Sequence, residues 1–337
     1  MIVLTNCLSQ TADEGCLKVA VSLVNALKKQ NPQTTVIGYE RESECCDVFL
    51  PLNKWMLNRK LMGILRKNKE PVLFIPFSAK MRSTALRTFM VSLFARKRVI
   101  LLQSMFSPMG RLAEWLMKLS GAKLVCLSES SCRYYRLHLG QQVCYLKAGV
   151  DTQRFTPGNR EDKNALRKKY GLPTDKTIVL HVGHLKAGRN IAQFQKLTEK
   201  LHGVLVVSTH RPDQQDSALG EQLRQKENLT LIEGFQPSIQ ELYRLSDVYL
   251  FPVQHQKSCI DVPLSVMEAA ACGIPVVTTA FGEMASLLEN EGFYHLESFE
   301  PEALNSLLQK AAQEGKSPRE SVLAYDWHNA AAQLTEM

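Results

Sequence analysis

The chain has 337 residues, of which 45% are hydrophobic and 22% charged, a balance that excludes a disordered protein and is typical of a folded one. Its length predicts two domains, because one domain usually has ~100–200 residues. The net charge of +8 is unevenly divided: residues 1–150 carry 22 Lys and Arg against 9 Asp and Glu, and the remainder carries 19 against 24. A basic first half can meet a polyanion or an anionic membrane.

Short apolar runs alternate with longer periodic stretches along the chain, which predicts βα units around parallel sheets. The first half is predicted to have strands at Ile2–Thr5, Thr34–Gly38, Val72–Pro76, Arg98–Gln103, Lys123–Leu127 and Val143–Leu146, with helices near 14–29, 81–96, 108–120 and 129–139. The second half is predicted to have strands at Thr177–Gly183, Gly203–Ser208, Leu229–Glu233, Val248–Phe251 and Ile274–Thr278, with helices near 161–170, 190–201, 215–226, 238–245, 263–272, 281–290 and 301–313.

The pattern is interrupted at residues 149–160, where Gly149, Pro157 and Gly158 stand together, so we place a domain boundary there. The predicted domains are 1–150 and 151–317, followed by a closing helix over 318–337. Ligands of open α/β sheets bind at the carboxyl ends of the strands.

The nine cysteines include no C-x-x-C pair and mostly lie in apolar runs, which indicates free thiols in a reducing compartment. The sequence shows no signal peptide, and no run approaches the ~18–20 apolar residues of a membrane span. We therefore expect a cytoplasmic protein whose membrane contact, if any, is peripheral.

A cationic loop follows the predicted strand that ends at Gly183. The loop contains His184, Lys186 and Arg189 and leads into a predicted helix. Because a helix N-terminus carries roughly half a positive charge and arginine can bind phosphate oxygens bidentately, the loop is suited to a phosphate. For Lys186 alone, a solvated turn is the simpler explanation; for Arg189 we favour binding.

A second segment, Ser258–Val277, contains one acidic residue inside an apolar helix. Pro263 suits the first helical turn, and Gly273 and Pro275 end the helix. A buried unpaired carboxylate at Glu268 would be costly, so we favour a ligand-binding role in which it accepts hydrogen bonds from two adjacent ribose hydroxyls.

A third segment, Glu233–Ser238, is a strand end followed by a turn. Its backbone and Gln236 are placed to hydrogen-bond a flat base lying against Phe235 or Pro237, although generic turn chemistry explains the same residues.

Together these segments resemble the donor half of retaining GT-B glycosyltransferases of family four, whose motifs are G-R-L-x-x-x-K-G and E-x7-E. The segment Lys147–Pro157 is similar to the family's N-G-V-D-x-x-x-F-x-P linker, Leu127–Ser130 to its V-S-x-S turn, and Asp326–Ala330 to its closing helix. The resemblance implies a GT-B fold, with two Rossmann-like domains whose parallel sheets face an interdomain cleft.

The resemblance places Arg189 at the lysine position that binds the donor diphosphate and Glu268 at the second glutamate, which holds the ribose. Two positions depart from the family: His184 stands where it has arginine, and Ile260 stands where it has the first glutamate, with Asp261 one position later. The expected donor-binding residues are Gly183, His184, Lys186, Arg189, Phe235, Gln236, Pro263, Leu264, Ser265 and Glu268, with Arg189, Glu268 and Asp261 nearest the chemistry.

The segment Ala280–Glu283 replaces the family's G-G-x-x-E, which leaves the identity of the sugar open. Negative charge on the leaving diphosphate would be stabilised by Arg189, His184 and the amides around Pro263–Ser265. No D-x-D metal motif occurs, so we expect no metal and no resident cofactor, with a UDP-sugar favoured over a GDP-sugar as donor.

The basic half is where such enzymes hold acceptors. Gly15 lies where a helix begins after the first strand, and Gln103 follows another strand; both are candidates for an acceptor or phosphate loop, although helix capping by Asp13 or Thr11 explains Gly15 as well. Residues 54–98 interleave cations with Trp and apolar residues, which favours an anionic membrane surface over an ordinary amphipathic core helix.

The sequence therefore predicts a membrane-peripheral glycosyltransferase that moves a sugar from a nucleoside diphosphate to a lipid-linked or cell-envelope glycan. One alternative keeps the fold in a nucleotide-sugar epimerase or an inactive nucleotide-sugar-binding protein. A basic nucleic-acid-binding protein is the second alternative, and the absence of a recognisable nucleic-acid module weighs against it.

Overall fold

A computed structural model describes residues 1–8, 14–40, 45–53, 55–77, 80–208, 215–255 and 259–337. The chain divides into two compact units, the first comprising Met1–Ala148 and Trp327–Met337 and the second Gly149–Asp326. In the described part of the chain no helix is long and apolar enough to cross a membrane.

The first unit is built on a seven-stranded parallel sheet in the order β3-β2-β1-β4-β5-β6-β7. Its strands are β1 (Ile2–Thr5), β2 (Thr35–Gly38), β3 (Val48–Phe49), β4 (Val72–Ile75), β5 (Val99–Gln103), β6 (Lys123–Cys126) and β7 (Val143–Tyr145). Its first five helices are α1 (Gly15–Gln30), α2 (Arg59–Lys67), α3 (Met81–Ser92), α4 (Arg111–Ser120) and α5 (Glu129–Leu139). Strands β1, β4 and β5 are buried throughout. This is expected of mainly apolar strands in a parallel sheet whose two faces are covered by helices.

The second unit has a six-stranded parallel sheet in the order β10-β9-β8-β11-β12-β13. Its strands are β8 (Thr177–Gly183), β9 (Leu201–Val207), β10 (Leu229–Glu233), β11 (Val248–Phe251), β12 (Val276–Thr278) and β13 (Phe293–His295). Its helices are α6 (Arg160–Lys169), α7 (Ser217–Arg224), α8 (Ile239–Leu245), α9 (Leu264–Ala271), α10 (Met284–Leu287), α11 (Pro301–Glu314) and α12 (Arg319–Val322). The sequence pattern missed β3 and β13, which are too short to show a period.

The predicted helix over 190–201 is wrong. The chain there makes 3₁₀ turns over Ala187–Arg189 and Ile191–Lys196, separated by Asn190 in a left-handed conformation with φ of 59°. Beyond them, the Asn228 amide donates to the carbonyl oxygens of Leu197 and Thr198. Because this side chain binds the carbonyls that a helix would use, the segment ends in a turn and enters β9.

The single closing helix predicted over 318–337 is also wrong. The chain forms α12, a 3₁₀ turn and then α13 (Trp327–Glu336), with an extended residue at Asp326. The Asp326 carboxylate accepts hydrogen bonds from the backbone N–H and the hydroxyl of Thr152, at 2.9 and 2.6 Å, and this contact holds the break. Helix α13 packs against α1 and belongs to the first unit.

Candidate functional site

An arginine with a buried side-chain N–H lies beyond the carboxyl end of β8. The ideal Cβ position of Gly183 is 2.7 Å from Arg189 Nη1, so the guanidinium packs on the bare face of this glycine. Arg189 Nε is buried and has no hydrogen-bond partner among the described residues, and no ion pair there involves Arg189. A buried donor without an acceptor is costly, so this geometry suits an anionic ligand.

A neutral histidine lies beside the same glycine. The His181 imidazole donates from Nδ1 to the Leu250 carbonyl at 2.9 Å, and its Nε2 is 3.0 Å from the same Cβ position on Gly183. The ring stacks between Tyr249 and Phe251. Burial lowers the pKa of His181 to about 3. The hydrogen bond to Leu250 acts against this shift, and the Arg189 charge adds to it. The Arg189 cation and the uncharged His181 ring therefore lie beside the same glycine.

The neutral His181 gives the stability of the second unit a pH dependence. Its folded pKa of about 3 lies below the ordinary 6.5, so only the unfolded state gains a proton as the pH falls from 6.5 toward 3. At pH 5 this protonation costs the folded state about 2 kcal/mol relative to pH 7.5.

Substituting His181→Phe should remove this contribution. Urea unfolding at pH 7.5 and pH 5 should show a smaller loss of the free energy of unfolding in the variant, by about 2 kcal/mol. An equal pH-dependent loss in both proteins would mean that His181 is accessible to protons in the folded state.

The N-terminus of α9 supplies free amides. Leu264 and Ser265 donate no backbone hydrogen bond to any described residue, whereas Val266 and Met267 both donate to the Pro263 carbonyl. Pro263 itself has no N–H, so of the three predicted residues only Leu264 and Ser265 can offer one. Such amides at the positive end of a helix of this length are suited to an anion.

Tyr249 connects this helix to β8. Its hydroxyl accepts from the Val182 N–H at 3.2 Å and hydrogen-bonds the Ser265 side chain. Burial raises the pKa of Tyr249, so the phenol stays neutral. The end of β8 and the first turn of α9 are thus held beside each other.

Glu268 is buried in α9, as the sequence predicted from its position in an apolar helix, and is only 5% exposed. Its Oε2 accepts a hydrogen bond of 2.7 Å from the hydroxyl of Tyr243 on α8. Burial and the Glu268 charge raise the pKa of Tyr243 well above its usual range, so the phenol remains a donor. This contact fixes the orientation of the carboxylate, which the sequence alone did not reveal.

Asp261 lies in the loop that precedes α9 and is also buried. Its carbonyl accepts from the Glu283 N–H at 2.9 Å and packs against Gly282, which has a φ of +53°. Burial raises the pKa of the Cys259 thiol, the Arg189 charge lowers it and the Asp261 charge raises it. Arg189 and Asp261 therefore both lie within electrostatic reach of one thiol.

The carboxyl end of β10 carries the predicted base-binding segment. Phe235 is 52% exposed, and the Gln236 amide donates to the carbonyls of Glu233 and Gly234 at 3.4 Å. Arg154 donates to the Pro237 carbonyl at 2.9 Å and so holds the turn from outside. An exposed aromatic ring beside exposed backbone is suited to stacking a base. That Phe235 and Gln236 bind the base stays a prediction.

The remaining residues of the predicted cationic loop are less exposed than a solvated turn would be. His184 is buried, and its carbonyl accepts from the N–H of the half-buried Lys186 at 3.0 Å. Among the ranges that the structure describes, no group of three His, Cys, Asp or Glu side chains could hold a metal ion.

The first unit has its own polar edge at the carboxyl end of β5. Gln103 is buried there and donates from Nε2 to the Met105 carbonyl at 2.8 Å, while its Oε1 has no hydrogen-bond partner in the described residues. Cys16, in the first turn of α1 after Gly15, contacts the Ser104 hydroxyl at 3.5 Å. The predicted acceptor residues Gly15 and Gln103 thus lie on neighbouring segments; the proposed caps Asp13 and Thr11 lie outside the described residues.

Residues 162–322 match the family model of Glycosyl transferases group 1. The matched stretch covers most of the second unit, including Arg189, Asp261 and Glu268. Over 142 residues the chain is 32% identical to the D-inositol 3-phosphate glycosyltransferase of Mycolicibacterium smegmatis, a match to 40% of this chain and 31% of that protein.

A second relative is the GDP-mannose-dependent monoacylated alpha-(1-6)-phosphatidylinositol monomannoside mannosyltransferase of Corynebacterium glutamicum. It is 26% identical over 175 residues, which are 47% of this chain and 44% of that protein. The chain therefore spans less than half the length of these curated relatives.

Solved structures match the whole chain. Anabaena Alr3699/HepE in complex with UDP-glucose superposes with a TM-score of 0.77 at 14% sequence identity, covering 99% of this chain and 98% of that one. The prediction of an α/β fold of the GT-B glycosyltransferase type, with two parallel sheets, is thereby confirmed.

Three site residues were not predicted from the sequence, namely His181, Tyr243 and Tyr249. His181 shares a strand face with Gly183, two positions away, so strand periodicity was the one available signal. The two tyrosines act through contacts between β11 or α8 and α9, which depend on the tertiary fold.

Proposed function

We propose that the protein is a retaining, metal-independent glycosyltransferase whose second unit binds a nucleoside diphosphate sugar. The observation that carries the proposal is the Arg189 guanidinium, whose buried Nε lacks an acceptor in the described chain. The family match over residues 162–322 supports the same ligand class.

In this proposal the diphosphate lies between Arg189 and the free amides of Leu264 and Ser265. Breaking the anomeric bond puts negative charge on the leaving phosphate, and preorganised donors stabilise that charge in the transition state. Glu268, oriented by Tyr243, accepts hydrogen bonds from the ribose hydroxyls. Asp261 takes the place of the family glutamate toward a sugar hydroxyl, on a loop held by Gly282.

We favour a UDP-sugar carrying a hexose or N-acetylhexosamine as the donor. Support comes from the fold likeness to Alr3699/HepE, which was solved with UDP-glucose. A GDP-sugar is the competing donor, since the Corynebacterium relative is named for GDP-mannose.

We place the acceptor, a lipid-linked or cell-envelope glycan, with the basic first unit at the cytoplasmic face of the membrane. The named acceptor of the Corynebacterium relative, a phosphatidylinositol monomannoside, belongs to this chemical class. Gly15 and Gln103 are the residues of the first unit that we assign to acceptor recognition.

Release of UDP or GDP from UDP-glucose, UDP-N-acetylglucosamine and GDP-mannose tests this proposal, with and without EDTA and with a membrane lipid extract as acceptor source. We expect nucleotide release that rises with extract and is unaffected by EDTA. Donor binding without turnover would favour the inactive binding protein, and a changed sugar without transfer would favour the epimerase.

A further inference from the structure

Helix α4 of the first unit exposes an apolar stripe. Leu112, Trp115 and Leu119 are 47%, 58% and 56% exposed, and their spacing of three and four residues puts them on one helix face. The opposite side of α4 is already used, because Ala113 and Met117 are buried in the core. Isolated exposed apolar residues are ordinary, but a stripe of one Trp and two Leu on one helix indicates a binding surface.

Cations border this stripe. Arg111 and Lys118 are exposed on α4, and no described residue forms an ion pair with Arg111. The acidic residue of α4, Glu114, accepts from Lys118 at 2.6 Å and contacts His138 of α5 at 2.9 Å. The face therefore combines an apolar centre with net positive charge, in the unit that carries most of the basic residues.

The segment favoured from the sequence, residues 54–98, also exposes large apolar side chains, but they are divided between different elements, and one of them, Leu93, lies at the end of α3 with 56% exposure. Leu61 and Leu65 of α2 are buried in the core, so the amphipathic pattern of that helix is accounted for by the fold of the first unit. Trp55 and Leu57 are partly exposed just before α2, and Lys54 lies outside the described residues.

We propose that the stripe Leu112–Trp115–Leu119 docks the protein on an anionic lipid bilayer. Trp and Leu side chains enter the interface while neighbouring cations meet lipid phosphates, which is the chemistry of interfacial helices. A second copy of the chain fits the same face poorly, because pairing through α4 would bring Arg111 and Lys118 toward their own counterparts while Glu114 is already engaged. This inference is independent of the proposed donor site, since vesicle binding requires no nucleotide.

Sedimentation with vesicles of phosphatidylcholine and anionic phosphatidylglycerol measures this interaction. The variant Leu112→Ser/Trp115→Ser/Leu119→Ser should partition at least about tenfold more weakly than wild type. The partitioning of the matched control Trp55→Ser/Leu57→Ser should stay within about twofold of wild type. Equal loss in both variants, or wild-type binding by the α4 variant, would overturn the proposal.

Tryptophan fluorescence places the contact directly. In a Trp55→Phe protein the exposed indole is Trp115, because Trp327 is buried. Vesicles that contain brominated phosphatidylglycerol should quench its emission, and vesicles of brominated phosphatidylcholine alone should not. Absent quenching, or sedimentation equilibrium showing a dimer that the triple substitution dissociates, would contradict membrane docking and point to self-association.

Discussion

Replacing Arg189 by Ala is expected to weaken UDP binding by about ten- to a hundredfold without unfolding the chain, because hydrogen bonds to charged groups contribute about 1.5–3 kcal/mol. The guanidinium makes no ion pair in the described chain, so its removal breaks no pairing that the fold needs. Calorimetric titration with UDP gives the affinity, and thermal unfolding without ligand gives the stability. A variant that binds UDP as tightly as wild type would remove Arg189 from the site.

Gly183→Ala provides the matched test of the same contact. Gly183 does not have a positive φ, so alanine is compatible with the backbone, but its methyl would lie 2.7 Å from Arg189 Nη1. The flexible guanidinium should move, and UDP binding should weaken; the buried His181 ring, 3.0 Å from the same position, must also shift slightly, at some cost in stability. In an Arg189→Ala background, Gly183→Ala should have no further effect on UDP binding, since coupled residues give non-additive cycles.

Gly282→Ala is expected to produce the largest loss of stability among the changes considered, about 2–4 kcal/mol. Its φ of +53° disfavours any L side chain, and the methyl would overlap the Asp261 carbonyl oxygen, a backbone atom. The loop carrying Asp261 must shift and lose the 2.9 Å hydrogen bond from the Glu283 N–H. Urea unfolding measures the stability, and donor titration should show weakened binding as well.

Gly315→Ala is the control for backbone strain. Gly315 has a nearly equal φ of +59°, but no described atom lies within 4 Å of its ideal Cβ position. Only the conformational penalty remains, about 1 kcal/mol. Equal losses of the free energy of unfolding in the two variants would show that the close approach of Gly282 to Asp261 contributes nothing to the effect of Gly282→Ala.

Much of the fold follows from local pattern. Strands β1 and β11 occur at the predicted residues, because parallel strands that are covered on both faces are fully buried and appear in the sequence as apolar runs. Helix 190–201 failed because side chains distant in sequence, such as Asn228, hydrogen-bond its backbone carbonyls. The single final helix failed because of another contact between residues distant in sequence, in which the Asp326 carboxylate accepts hydrogen bonds from Thr152.

The site, like the fold, has features that local sequence predicts and features that depend on tertiary contacts. Residue type and motif spacing pointed to Arg189 and Glu268, and the fold places both in the second unit. The contacts that hold the site residues act across different elements: Tyr243 of α8 binds Glu268 of α9, and Tyr249 of β11 links Val182 of β8 to Ser265 of α9. No local pattern predicts such pairing, since it depends on how β8, β11, α8 and α9 pack.

Calorimetric titration of the wild-type chain with UDP and with uridine tests the central claim most directly, because the two ligands differ only in the diphosphate. We expect UDP to bind at least about tenfold more tightly than uridine, a difference of about 1.4 kcal/mol, and that difference to become smaller in Arg189→Ala, where only the Leu264 and Ser265 amides remain for the diphosphate. Equal affinities for UDP and uridine in the wild-type chain, or no binding of either, would contradict a diphosphate site at Arg189.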